Sequence, residues 1–354
     1  MKIAIFTLPL INNYGGILQA FALFKTLQSL GHDVILLNFK PKNLSKFSIL
    51  YLKFLIAKTF IARHKGAKFE NIKQDEGAKK FILENFTLSP EIRTKKELYR
   101  YVKTTDFDAI VVGSDQVLRP EFLGEFKDDF SLHFVNEKVI KILYAGSFGG
   151  AEFQGENAKF HALNFAKFKA VSVREKNAVE IFERNFERKP LWVLDPTLLA
   201  DSKIYDFSNK NAQKNYIFAY ILDPDENKKA FLQIVAKQKK LKIIELNDQS
   251  LVRPSPKEWL SLIKNADFVV TDSFHGCVFS VIFHKNFYTF TNEKRGNDRI
   301  ISLLEMLNLT SRFIDENTEI SDISWEKVDK IFVKNHAEYA AMKTVSYHKI
   351  RIFY

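Results

Sequence analysis

The sequence predicts an α/β protein of two consecutive domains, each an open, mostly parallel sheet flanked by helices. Short apolar runs alternate with segments of helical period, the pattern of repeated βαβ units. The alternation breaks at the polar stretch 201–215 and then restarts. The 354 residues are also about twice a typical domain of roughly 150.

From the N-terminus, Lys2-Ile3-Ala4-Ile5-Phe6-Thr7-Leu8 reads as a buried strand. Pro9 and Asn12 break the apolar run and no small-residue cleavage site follows, so it is not read as a secretory leader. The turn-forming Asn12-Asn13-Tyr14-Gly15-Gly16 comes next. Ile17, Leu18, Phe21, Ala22, Phe24 and Leu27 then recur at helical spacing, and Gly31 stops the helix. Val34-Ile35-Leu36-Leu37 is short and continuously apolar, as a parallel strand covered on both faces must be. Strands near 108–113, 140–147 and 170–174 continue the pattern, with a helix at 175–186.

Asp195-Pro196-Thr197 and the polar 201–215 interrupt this rhythm, and Tyr216-Ile217-Phe218-Ala219-Tyr220-Ile221 restarts it. The second set comprises a helix near 226–239, a strand at 243–246, a helix at 256–264, a strand at 268–272, a helix at 275–283, a strand at 287–290 and a helix at 297–308. The expected domains are therefore 1–205 and 213–320, with a helical tail at 321–354. An insertion at about 41–70 does not fit the βαβ rhythm. Its segment from Lys46 to Lys58, followed by Arg63, His64 and Lys65, is both apolar and basic. It reads either as a helix packed on the first domain or as a membrane-surface segment with lysines at anionic headgroups.

Composition narrows the function classes. Hydrophobic residues make up 46% and charged residues 27%, which excludes collagenous, disordered and multi-span membrane chains. A single cysteine, Cys277, excludes an internal disulfide framework and a thiolate zinc site, and points to a reducing compartment. It falls in a predicted helix and reads as a core residue. No apolar stretch reaches the 18 residues or so of a spanning helix. Lys and Arg outnumber Asp and Glu by 53 to 42, a net charge of +11, so an anionic partner is expected. No nucleic-acid partner is expected.

In open parallel sheets ligands sit beyond the carboxyl ends of the strands, and with two domains the shared cleft is the default site. Four polar loops follow predicted strands: Asn12-Asn13-Tyr14-Gly15-Gly16, Gly113-Ser114-Asp115-Gln116, Ser172-Val173-Arg174-Glu175 and Asp272-Ser273-Phe274-His275-Gly276. In the last, Ser273 reads as an N-cap and His275 falls in the first turn of the following helix. Unpaired N–H groups and the positive dipole end there suit phosphate or carboxylate, which a histidine can orient or protonate. A packed histidine bonded to the backbone is the other reading. The donor fork of Arg174 suits a carboxylate or phosphate, or else an ion pair with Glu175 or a helix-start acid. Asp115 and Gln116 suit sugar hydroxyls, unless Asp115 only caps its turn.

Several chemistries lack their signatures. G-x-G-x-x-G, G-x-x-x-x-G-K-[ST] and G-x-S-x-G are absent. The eight histidines show no metal-ligand spacing, so no metal is expected.

Asn13-Tyr14-Gly15-Gly16-Ile17-Leu18-Gln19-Ala20, Gly113-Ser114-Asp115-Gln116, Ser172-Val173-Arg174-Glu175, Leu194-Asp195-Pro196-Thr197 and Asp272-Ser273-Phe274-His275-Gly276 occur in this order. Together they resemble the polysaccharide pyruvyl transferase family over about residues 1–310. The resemblance implies two Rossmann-like domains facing a cleft, as in the GT-B glycosyltransferases. It also implies transfer of the pyruvyl group of phosphoenolpyruvate to two hydroxyls of one sugar, in a cell-surface polysaccharide or its lipid-linked precursor. The products are a cyclic ketal and phosphate, with no cofactor beyond the donor substrate.

On the same match, Arg174 would hold the donor and His275 would be the acid or base. Ser273, Gly276 and Arg299 join the donor site, and Asn13, Tyr14, Gly15, Gly16, Asp115, Gln116 and Asp272 line the acceptor side. A cytoplasmic enzyme, peripheral at the inner face of an anionic membrane, follows from such an acceptor. Two departures concern the acceptor: Val117-Leu118-Arg119-Pro120 stands where Val-Trp is frequent, and Cys277 where Thr is common. The competing readings are a nucleotide-sugar glycosyltransferase of the same architecture and a non-catalytic glycan or lipid-phosphate binder.

Overall fold

The computed structural model describes residues 1–41, 75–150, 152–153, 156–207, 214–247, 250, 253–315, 318, 343–344 and 346. The basic apolar insertion, apart from Pro41, and nearly all of the tail at 321–354 lie outside the described residues. The chain divides into two units, Met1–Trp192 and Val193–Tyr354. The division precedes Asp195-Pro196-Thr197, which therefore belongs to the second unit, and the boundary expected at 205–213 lies inside that unit.

The first unit begins with β1 (Lys2–Phe6), α1 (Tyr14–Ser29) and β2 (Asp33–Leu36). Two helices, α2 (Glu76–Asn85) and α3 (Lys95–Thr104), precede β3 (Ala109–Asp115). There follow β4 (Ile140–Gly146), α4 (Ala158–Phe165), β5 (Ala170–Val173), α5 (Ala178–Phe186) and β6 (Leu191–Trp192). All strand pairs are parallel, in the order β2-β1-β3-β4-β5-β6. Ala4, Phe6, Ile110 and Val112 of the central strands share one apolar cluster with Ile181, Phe182 and Phe186 of α5. Each of the larger side chains contributes about 1.5–3 kcal/mol by leaving water.

The second unit contains α6 (Pro196–Leu199), β7 (Tyr216–Tyr220), α7 (Glu226–Lys239), β8 (Lys242–Leu246) and α8 (Pro256–Asn265). It continues with β9 (Phe268–Thr271), α9 (Phe274–Ile282), β10 (Phe287–Phe290), α10 (Asp298–Met306) and β11 (Phe313–Ile314). Its sheet is again all parallel, in the order β11-β10-β9-β7-β8. Ile217, Ala219 and Val270 pack against Phe231 and Val235 of α7. The fold class read from the sequence, two Rossmann-like α/β domains with parallel sheets, is the one observed.

Both sheets put their first strand between the second and third, so both have one topological switch point, at β1/β3 and at β7/β9. Connections leave to opposite faces there and open a crevice at the carboxyl ends of the strands. The connection after β1 leads through Asn13 into the first turn of α1 at Tyr14 to Gly16, β3 ends at Asp115, and the connection after β9 leads through Asp272 and Ser273 into the first turn of α9. Asn13 to Gly16, Asp115 and Asp272 to Gly276 thus occupy the switch-point ends of their sheets, while Arg174 follows β5.

Candidate functional site

In the first unit, α1 starts earlier than the apolar periodicity predicts. The Asn13 side chain accepts from Gly16 N at 3.2 Å, so Tyr14, Gly15 and Gly16 form the first helical turn and are buried. Gly16 lies close to Asp115: a Cβ on it would be 3.3 Å from Asp115 Oδ2. Asp115 has φ 70°, a left-handed conformation that Asp tolerates better than most residues. Its Oδ1 accepts from Gln116 N at 2.9 Å, which stabilises the turn.

Arg174 is buried, and its guanidinium stands 3.7 Å from Asp115 Oδ1. Asp115 is a partner that adjacency in sequence does not suggest. Glu175 turns to Ser147 Oγ, which donates to it in a short hydrogen bond, and Gly149 N also points to Glu175 at 3.4 Å. The Arg174 backbone is fixed on both sides: its N–H donates to Gly146 O at 3.1 Å and its carbonyl accepts from Trp192 Nε1 at 3.0 Å.

The acceptor Gly146 O is aimed by a bulge in β4, where the register shifts between Leu143 and Gly146 and Ala145 takes φ 51°. Ser172 pins that bulge, accepting from Ala145 N at 3.0 Å and donating to Leu143 O at 3.1 Å. Bulges of this kind re-aim side chains at the ends of sheets. Gln116 accepts from Arg119 at 3.1 Å. It also packs so close to Gly149, at φ 66°, that a Cβ there would fall 2.2 Å from Gln116 Oε1.

In the second unit Ser273 caps α9 as expected, accepting from Gly276 N at 3.4 Å. His275 is the second residue of that helix and is 6% exposed. Its Nε2 stands 3.8 Å from Asp195 Oδ2. Asp195 is the N-cap of α6, and its Oδ1 accepts from Thr197 N at 2.9 Å and Thr197 Oγ1 at 2.5 Å. The Phe274 ring meets the His275 ring edge-on at 5.0 Å, and the Arg299 guanidinium lies over Phe274 at 5.7 Å. Ser273, His275, Gly276 and Arg299 are therefore gathered at one end of this sheet.

Asp272 is buried at the end of β9 and makes four hydrogen bonds. Its buried carboxylate accepts from Leu222 N at 2.6 Å, Asp223 N at 3.1 Å, Lys228 Nζ at 3.0 Å and Asn292 Nδ2 at 3.1 Å. It ties together the loops after β7, β9 and β10. Lys228 also donates to Asp223 O at 2.7 Å, and Arg295 bonds Asp223 Oδ2 at 2.8 Å. Lys228, Asn292 and Arg295 were not predicted. Lys228 sits in a run of polar residues, Asn227-Lys228-Lys229, and nothing local distinguishes the buried lysine from the exposed one.

Cys277 is fully buried, and desolvation pushes its thiol up to about 12. Among the described residues no group of three or more His, Cys, Asp or Glu is placed to hold a metal ion, and no helix is long and apolar enough to cross a membrane.

The polysaccharide pyruvyl transferase family model matches residues 13–294, most of the chain. The chain belongs to this family. The match spans Asn13, Arg174, Asp195 and His275, and so takes in both switch-point ends. No curated protein matches the sequence. Similar solved structures include UDP-N-acetylglucosamine 2-epimerase from Rickettsia bellii, 11% identical, TM-score 0.49, covering 100% of this chain and 96% of that one. UDP-GlcNAc 2-epimerase from Methanocaldococcus jannaschii is 13% identical, TM-score 0.49, over 98% and 100%. The spinosyn forosaminyltransferase SpnP is 11% identical, TM-score 0.42, over 99% and 95%.

Proposed function

We propose that this family member transfers the pyruvyl group of phosphoenolpyruvate onto two hydroxyls of one sugar in a cell-surface polysaccharide or its lipid-linked precursor. The observation that carries the reading is the end of the second sheet. There a buried histidine stands in the first turn of a nine-residue helix, with an arginine and a carboxylate close by. A helix N-terminus favours an anion and the histidine is placed to move a proton beside it.

The chemistry asks for little more than this. A proton is added to the methylene carbon, which becomes the methyl group, while the first sugar hydroxyl adds to the central carbon and loses its own proton. The bond from that carbon to the phosphate oxygen then breaks, and the second hydroxyl attacks the resulting oxocarbenium-like centre. Its proton leaves with phosphate, and the products are the ketal and inorganic phosphate. Written this way the reaction balances without a cofactor.

His275 is assigned to the protonation step. The α9 N-terminus, with Ser273, Gly276 and Arg299, is assigned to the donor's negative charge. In the first unit, Arg174 is assigned to an anionic substrate group, and Asp115 and Gln116, beside the α1 N-terminus formed by Asn13 to Gly16, to sugar hydroxyls. A donor made in the cytoplasm places the reaction there.

The test is phosphate release from phosphoenolpyruvate across a panel of sugar acceptors, with His275→Gln as control. The variant is expected to melt like the parent and to lose about 10²–10⁴-fold in kcat, the scale of general acid–base catalysis. Turnover of a nucleotide sugar with none of phosphoenolpyruvate would select a glycosyltransferase instead. A folded His275→Gln with parental kcat would remove the histidine from the reaction.

A further inference from the structure

We infer that Asp195 is the positioning partner of His275, turning the imidazole and holding its proton for delivery to the substrate; the inference rests on the reaction proposed above. The Asp195-Pro196-Thr197 segment recurs among the motifs that mark the chain, yet no step of the reaction so far uses it.

The geometry points to a charge role. Asp195 Oδ2 and His275 Nε2 are 3.8 Å apart, with the carboxylate side chain wholly buried and the imidazole nearly so. At that separation and burial an opposite charge acts strongly on the ring, because little water screens it. The distance exceeds a hydrogen bond, and catalytic contacts of this kind tighten when substrate is bound.

Asp195 is itself held still. Thr197 donates its N–H and its hydroxyl to Oδ1, and Pro196 fixes the first position of α6. The oxygen facing the imidazole is therefore the other one. The two residues start adjacent packed helices, α6 and α9, so their spacing is set by backbone rather than by long side chains.

The surroundings make a nearby anion necessary. The positive end of α9 opposes a charge on His275. Arg299 of α10 lies over the neighbouring Phe274 ring and adds a second positive influence. Asp272, three residues back, is engaged by Lys228 of α7. Cys277 in the same helix stays a neutral thiol. Asp195 Oδ2 is turned to the imidazole, and its charge offsets the dipole and the arginine. During turnover His275 gives its proton to the methylene carbon and regains one from an attacking hydroxyl, while Asp195 keeps its charge throughout.

Asp195→Asn separates this role from helix capping. Asparagine is as good an N-cap as aspartate, so the bond from Thr197 N survives and only the charge is lost. In protein carrying labelled histidine, with His275→Gln used to assign the resonance, the His275 titration midpoint is expected to fall by about one pH unit or more. The loss of kcat at rising pH should move to lower pH by the same amount, with KM for phosphoenolpyruvate changed far less than kcat. Thr197→Val, which loses the hydroxyl bond but not the charge, should shift the midpoint in the same direction by less.

A lowered melting temperature with an unmoved His275 midpoint would reduce Asp195 to a helix cap and overturn the inference. If the parent releases no phosphate from phosphoenolpyruvate, the proposed reaction fails, and the imidazole titration still decides whether the two residues are paired.

Discussion

Gly276→Ala probes how tightly the end of the second sheet is built. A Cβ on Gly276 would stand 2.3 Å from Thr271 Oγ1, 3.0 Å from Thr271 Cβ and 3.1 Å from Thr271 Cγ2. Thr271 has no exposed surface, so it cannot swing into solvent. Its hydroxyl donates to Tyr220 O at 2.7 Å and accepts from Ser273 N at 3.1 Å, and rotating it away breaks both bonds. Overpacking costs about 1–3 kcal/mol and each lost hydrogen bond about 0.5–1.5 kcal/mol. The better helix propensity of alanine returns about 1 kcal/mol.

The net loss is about 1–5 kcal/mol. Denaturant unfolding followed by fluorescence would measure it, with the transition of the second unit fitted separately because two units need not unfold together. Thr271→Ala removes Oγ1, the atom a Cβ on Gly276 would meet most closely, together with Cγ2, so the double variant should cost less than the sum of the singles by about 1 kcal/mol or more. The same displacement moves His275, one residue away, and turnover should fall with stability. A neutral or stabilising Gly276→Ala, or strict additivity with Thr271→Ala, would refute this account of how the loop is held.

Two further outcomes follow from the same end of the molecule. Asp272→Asn leaves Lys228 buried opposite an amide, and breaking a buried charge pair costs about 3–5 kcal/mol; denaturant unfolding should show a loss of that order, and a change below about 1 kcal/mol would mean the three loops are tied by other contacts. The Cys277 thiol, raised by burial, should resist a thiol-specific disulfide reagent at pH 8 until the protein unfolds. Because the unfolded chain ionises first, stability should decline as pH rises past the ordinary thiol range toward about 12; rapid labelling of native protein would contradict the buried position.

Some of the site is written in neighbouring residues. Asn13 reads as part of a turn and caps α1 earlier than the apolar period shows, whereas Ser273 caps its helix through the backbone a few residues on, which is why it was legible. The same holds for the strands, whose apolar runs carry their burial with them. Glu175 marks the limit of such reasoning. Its carboxylate accepts from Ser147 and Gly149, and the neighbouring Arg174 reaches Asp115, contacts with distant residues that no local pattern encodes. The unit boundary is another case: polar composition at 201–215 suggests a linker, whereas the division follows Trp192.

The sequence by itself determined the α/β class, the alternation of strands and helices, the helix starts at the strand ends and the family, because each depends on period, on local capping or on the order of short motifs. Only the tertiary structure decided which of these residues meet. The order β3-β4-β5 and the Ser172-pinned bulge bring Arg174 to Asp115. The packing of α6 on α9 brings Asp195 to His275, and the β7/β9 switch point lets Asp272 tie loops together. These are pairings between residues dozens of positions apart, fixed by strand order and helix packing, and no local pattern of side chains encodes them.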